Sequence, residues 1–112
     1  MIERARASLG LGDAYLNRIV ESVLAATPAE RILLFGSYAR GDQTPESDID
    51  LYVITDGRER PLATGGRIRR NLLWMPHPKD VICSNRQNYE SRKNDLSTVE
   101  HEVDREGVIL YG

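Results

Sequence analysis

The sequence predicts an α/β (α+β) domain, one mixed sheet of about four strands with helices packed on it. Three observations predict it. Helical and strand-like segments alternate along a chain of 112 residues, the length of one domain. Short apolar runs stand at 31–35, 48–54, 79–83 and 108–111, each too short for a helix and bounded by turn residues. The first run closes on Gly36-Ser37 and the second opens on Asp48-Ile49-Asp50, so chemistry-bearing residues sit at strand ends.

Residues 1–12 read as a lead-in ending in Gly10-Leu11-Gly12, and the domain proper as residues 13–112. Asp13 reads as the N-cap of a first helix. Behind it Leu16, Ile19, Val20, Val23 and Leu24 recur at helical spacing and give one apolar stripe for the core. Thr27-Pro28 ends this helix, because the residue before a proline is pushed out of the helical region.

The first strand follows at about 31–35. Gln43-Thr44-Pro45-Glu46-Ser47 is a polar loop, and the second strand runs from about Asp48 to Ile54. Its β-branched and aromatic residues suit a strand, with Ile49, Leu51 and Val53 facing away from the two aspartates. Whether these two strands pair parallel or antiparallel is open at this point.

Residues 58–74 read as a weak helix. Pro61 fits a first helical turn, and Ile68, Leu72 and Leu73 form an apolar edge. Gly65-Gly66 works against it, at about 1 kcal/mol per glycine relative to alanine, so a broken helix or loop is the alternative. Arg58, Arg60, Arg67, Arg69 and Arg70 make one basic cluster, read as a solvated helix face in preference to an anion or partner surface.

Trp74-Met75-Pro76-His77-Pro78 is a stiff connector into the third strand, Lys79 to Cys83. Ser84-Asn85 can cap a short helix. A break near Asn94-Asp95 precedes a second one from about Ser97 to Arg105, with Ser97-Thr98-Val99-Glu100 resembling a capping box. Gly107 stops it, and Val108 to Tyr111 forms a final strand at a sheet edge. His77 and His101 have no second ligand at metal spacing and read as surface histidines.

Bulk properties narrow the function. Lys+Arg 15 against Asp+Glu 17 gives a net charge of −2, which argues against broad electrostatic binding to nucleic acid, so nucleic acid is not expected as a direct substrate. A single cysteine, Cys83, allows no internal disulfide and fits a reducing cytoplasm; it reads as a small buried hydrophobe. The N-terminal stretch shows no apolar signal region, and no membrane span is expected.

The chemistry concentrates in Gly36-Ser37-Tyr38-Ala39-Arg40-Gly41 and Ser47-Asp48-Ile49-Asp50. Along a strand Asp48 and Asp50 point to one face, with Cα atoms about 6.6 Å apart. Two carboxylates so placed are costly without a cation. Mg²⁺ combines one or two carboxylates with substrate phosphates. Gly36 permits a tight turn and close backbone approach. Ser37 and the following amides would sit at a helix start that favours an anion, and Arg40 can point a guanidinium at the same anion. Together these residues point to a nucleoside triphosphate held with Mg²⁺.

Gly36-Ser37, ten intervening residues, and Asp48-x-Asp50 resemble the signature of the DNA polymerase β-like nucleotidyltransferase superfamily. Gly-Ser-Tyr-Ala-Arg-Gly and Ser-Asp-Ile-Asp-Leu look like its minimal nucleotidyltransferase (MNT) branch, over residues 13–112. The resemblance implies antiparallel pairing of the first two strands, with helices on one face of the sheet. It also implies a third carboxylate on the next strand, for which Asp80 is the match, and two Mg²⁺ ions held by Asp48, Asp50 and Asp80. In that scheme Gly36, Ser37 and Arg40 grip the phosphates of ATP.

The branch is commonly found with a HEPN-domain protein as a toxin–antitoxin pair. The implied activity is transfer of AMP to a hydroxyl of that partner, with the chain acting as antitoxin. Two alternatives are a non-catalytic nucleotide-binding module that neutralises its partner by contact, and a small-molecule nucleotidyltransferase working as a homodimer.

Overall fold

The computed structural model describes residues 9–112. Residues 1–8 of the expected lead-in lie outside the described residues. Within the rest of it Leu9 is fully buried in the core. The chain runs α1 (Asp13–Ala26), β1 (Arg31–Phe35), α2 (Ser37–Arg40), β2 (Ile49–Thr55) and α3 (Pro61–Asn71). It continues through β3 (Lys79–Asn85), α4 (Arg86–Arg92), α5 (Val99–Glu106) and β4 (Val108–Tyr111).

The four strands form one mixed sheet in the order β3-β2-β1-β4. β1 pairs antiparallel with both β2 and β4, while β2 pairs parallel with β3. The parallel pair needs a crossover, and α3 supplies it. This arrangement brings the end of β1 and the starts of β2 and β3 to a single sheet edge. Phe35 stands beside Asp50, and Asp50 beside Asp80.

Helices cover both faces, not the single face implied by the resemblance. Strand alternation explains it. Ile32 and Leu34 of β1 and Ile49, Leu51 and Val53 of β2 join one core with Leu16, Ile19 and Val23 of α1 and Ile68 of α3. Leu33 and Phe35, with Tyr52 and Ile54, join a second core with Tyr89 of α4 and Val103 of α5. Both central strands are therefore apolar on each side, which reads as a continuous run and gives no sign of a bare face.

Three local expectations change. Gly12 precedes α1 as its cap and makes no side-chain cap bond, so Asp13 is the first helical residue and its charge faces the positive helix end. The α5 cap is Thr98, whose hydroxyl accepts from the His101 amide, one residue later than the Ser97 start read from sequence. Glu100 is then drawn inward: the Tyr52 hydroxyl donates to it at 2.7 Å and Arg92 Nε at 3.0 Å. Burial works to raise its carboxyl, but Tyr52 and Arg92 hold it below the ordinary range.

α3 forms despite its glycine pair. Gly65 is buried, and its missing Cβ leaves room for the Arg69 guanidinium, which donates to the Val81 carbonyl at 2.9 Å. Arg67 donates to the Ala26 carbonyl at the end of α1 and pairs with Glu59. Two arginines of the basic cluster thus tie α3 to its neighbours. Among the described residues no helix is long and apolar enough to cross a membrane.

The two-faced core sets a stability test. Leu51 is fully buried in β2, whereas Leu96 is 81% exposed. Leu51→Ala is expected to cost about 3 kcal/mol in urea unfolding, by lost burial and a residual cavity. Leu96→Ala is expected to stay within about 0.5 kcal/mol of the parent.

Candidate active site

The sheet edge carries every residue that the sequence singled out for chemistry. β1 ends at Phe35, and Gly36 turns the chain with φ 76° and ψ −154°, a backbone state closed to ordinary side chains. The turn leads into α2, where the Arg40 amide donates to the Gly36 carbonyl at 3.0 Å. Two amides, of Gly41 and Asp42, then close on the Ser37 carbonyl. A Cβ on Gly36 would collide with Asp50 Oδ2. The turn backbone and the Asp50 carboxylate are therefore in direct contact, which places Ser37 beside the acids.

Asp50 lies inside β2, on the face of Tyr52 and Ile54, and is half-buried. Asp48 precedes the strand, which starts at Ile49, and is exposed. The Thr44–Ser47 turn delivers it: the Ser47 hydroxyl accepts from the Thr44 amide at 2.8 Å. The Ile49 amide donates to the Pro78 carbonyl at 2.8 Å, fixing the start of β2 to the approach of β3. Asp80 is exposed and in parallel register with Asp50, on the next strand about 4.8 Å away.

Electrostatics single out Asp50. Burial pushes its carboxyl up to about 6, helped by repulsion from Asp80, Asp48 and Glu102 and opposed by Arg40. Carboxylates supply hard oxygen donors, the chemistry of Mg²⁺ rather than of softer metals. Surplus negative charge around Asp50 is the imbalance a divalent cation would relieve. Among the described residues no three acid, imidazole or thiol groups close on a common point tightly enough to hold a metal by themselves. The donor set thus fits a hard cation whose remaining ligands come from elsewhere, as substrate phosphates do for Mg²⁺.

Arg40 does not point freely into the turn. Its Nε meets Asp42 at 3.2 Å, and its Nη1 meets Glu106 at 3.1 Å and Glu102 at 3.7 Å. Sequence reading missed Glu102 and Glu106 as neighbours of the site. Their signal was an acid pair at i, i+4 with Glu106 ending the helix, where the helix dipole disfavours negative charge. His77 and His101 are half-buried, not surface groups. His77 Nδ1 lies 2.6 Å from the Tyr15 hydroxyl, with the ring edge-on to Tyr15 and to Tyr38 of α2. His101 Nδ1 lies 2.9 Å from the Lys93 carbonyl. Cys83 is partly buried against the α1–α3 core, and burial pushes its thiol up.

The chain is similar in sequence and in fold to several known proteins. The sequence model of the family described as "Nucleotidyltransferase domain" matches residues 16–107. Two proteins of Methanocaldococcus jannaschii carry the provisional name protein adenylyltransferase. One is 63% identical over 27 residues, 24% of this chain and 27% of that protein. The other is 63% identical over 30 residues, 27% of this chain and 30% of that protein. These matches span under a third of either relative's length.

Among solved structures, a toxin–antitoxin complex with AMP-PNP superposes with a TM-score of 0.66 at 25% identity, over 87% of this chain and 73% of that one. A toxin–antitoxin pair, MntA–HpeT, with two aspartates two positions apart changed to glutamate, gives 0.65 at 23% identity over the same shares, a likeness of fold. A Sulfolobus solfataricus protein provisionally named a nucleotidyltransferase gives 0.55 at 23% identity, over 81% of this chain and 85% of that one, again a likeness of fold.

Two outcomes follow from the edge. Gly36→Ala is expected to lower stability by about 2 kcal/mol or more in urea unfolding, through backbone strain and displacement of Asp50. Asp50→Asn is expected to raise the melting temperature by a few degrees at pH 8. The raised carboxyl makes the folded state bind the extra proton, so native stability falls as pH climbs from about 4 through 6. Asparagine removes that cost, worth about 1 kcal/mol after solvent screening. At pH 4 the advantage should vanish, and thermal melts at the two pH values check it.

Proposed function

The chain belongs to the family of nucleotidyltransferase domains, and from that membership we propose that it transfers AMP from ATP to a hydroxyl on a partner protein. The observation that carries the reading is the contact of the Gly36 turn with Asp50, flanked by Asp48 and Asp80. A phosphate-accommodating turn and a cation-seeking carboxylate group occupy one edge. The names of the Methanocaldococcus relatives support protein as the acceptor, and the AMP-PNP complex supports a nucleoside triphosphate and a toxin–antitoxin setting. The partner in this reading is a HEPN-domain toxin and the setting is cytoplasmic, in keeping with the single, unpaired cysteine.

Asp48, Asp50 and Asp80 are the residues that would hold Mg²⁺. Bound there, the ions would activate the acceptor oxygen and offset charge on the leaving pyrophosphate. The Gly36 turn admits the triphosphate close to the backbone because no Cβ stands in the way. Ser37 and the turn amides orient the β- and γ-phosphates. The acceptor oxygen bonds to the α-phosphorus, the bond from that phosphorus to the bridging oxygen breaks, and pyrophosphate leaves. Asp80, exposed next to Asp50, is the carboxylate positioned to take the hydroxyl proton.

A second reading, a nucleotide-binding module that acts by contact alone, draws on one observation: the carboxylates do not close into a metal site by themselves. Intact-protein mass spectrometry separates the two. The chain is mixed with ATP, Mg²⁺ and the product of the adjacent reading frame. The expected result is an added AMP on that product, with Asp48→Asn and Asp50→Asn each slowing the gain by on the order of 100-fold. A tight complex formed equally by both variants, with no mass gain from any form, would select the second reading.

A further inference from the structure

Arg40 sits at the end of α2, three residues and about 4.5 Å of helix rise beyond Ser37. In the structure it is turned toward α5. Its guanidinium meets Glu106 at 3.1 Å and Glu102 at 3.7 Å, with Asp42 on Nε at 3.2 Å. Glu102 and Glu106 are one helical turn apart and present one acidic face to α2. Glu106 closes α5, where the helix dipole disfavours an acid, so a nearby cation offsets its position. The Arg40 amide is bonded to the Gly36 carbonyl at 3.0 Å, so the arginine starts from the turn itself, and Asp50 feels both the attraction of Arg40 and the repulsion of Glu102.

These contacts are partly exposed, with Arg40 at 40%, Glu102 at 42% and Glu106 at 29% of side-chain surface. Exposed ion pairs are individually weak. A triphosphate offers the planar guanidinium bidentate and more highly charged acceptors. Three carboxylates around one arginine are therefore strong enough to bias its direction and weak enough to yield to a phosphate ligand.

We propose that Glu102 and Glu106 are positioning residues that park Arg40 on α5, so that a bound triphosphate must take this arginine from them. The inference rests on the nucleotide reading given above and adds to it a competition between α5 and the substrate phosphates. The nucleotide then loses apparent affinity in proportion to how firmly the arginine is parked.

A thermodynamic cycle tests it. Calorimetric titration of AMP-PNP with Mg²⁺ is carried out on the full chain and on Glu102→Gln/Glu106→Gln, Arg40→Ala and the triple variant. With Arg40 present, removing the two acids is expected to tighten binding about tenfold, equal to about 1.4 kcal/mol. With Arg40→Ala the same removal is expected to gain no more than about twofold. Simple relief of negative charge predicts the opposite order, because the acids lose their counter-ion when Arg40 is removed. A gain as large or larger in the Arg40→Ala background, or no gain in either, overturns the parking role while the nucleotide reading stands. Absence of binding by every form overturns that reading, and the parking role with it. Should the double variant fail to fold, Glu106→Gln alone runs the same cycle with the same criteria.

Discussion

The contact between the Gly36 backbone and the Asp50 carboxylate is the constraint on which the active edge depends. A side chain at 36 would occupy the space of Asp50 Oδ2, and the backbone there is in a state that other residues reach only under strain. Without that close approach the turn after β1 would stand off from β2, and Ser37 would no longer share a site with the acids. The contact in turn needs the register of β1 on β2, which sets Phe35 opposite Asp50. Register is held by the two cores, because a one-residue slip would turn Leu33, Phe35, Tyr52 and Ile54 out of their own core.

That rigidity is what allows the edge to hold unfavourable charge. Asp50 is half-buried and repelled by Asp48, Asp80 and Glu102. An arrangement of this kind relaxes unless surrounding structure forbids it. Here β2 is paired on both sides, antiparallel with β1 and parallel with β3, and its apolar residues are buried on both faces. The strand cannot swing away without exposing both cores. Burial energy in the interior thus sustains an electrostatic cost at the rim.

What the sequence made legible follows the same division. The strands and the Gly36, Ser37, Asp50 and Asp80 placements were readable, because short apolar runs and turn residues are local signals, whereas Asp48, read as the first strand residue, falls just ahead of β2. The antiparallel β1–β2 pairing and the partnership of Asp80 with Asp50 came through resemblance, since register between distant strands leaves no local trace. Coverage of both faces was missed for a related reason: the apolar residues of α4 and α5 are few, and only Tyr89 and Val103 reach the second core as fully buried groups. The glycine pair in α3 counted against a helix by propensity, yet tertiary contact reversed it, with Arg69 crossing Gly65 to Val81. His77 was read as a surface group, and the acidic neighbours of Arg40 were missed, because these partners lie far away in sequence, 62 residues for Tyr15 and 66 for Glu106.

The carboxylate group also bears on the choice between catalysis and simple contact. A module that worked by occlusion alone would gain from any change that removed charge at position 50, because asparagine keeps the shape and drops the repulsion. Nothing in the packing demands an ionised group there: the neighbours of Asp50 on its own face are Tyr52 and Ile54, and its strand neighbours are Phe35 and Asp80. Three acids brought together by two strands and a turn make physical sense where a hard cation and a phosphate chain complete the shell. The spread of those acids is then not a defect, since a pocket that closed on a metal by itself would leave fewer open positions for the substrate's oxygens. In the proposed function the same acids, held apart on strand ends, would bind a cation once the nucleotide supplied the missing ligands.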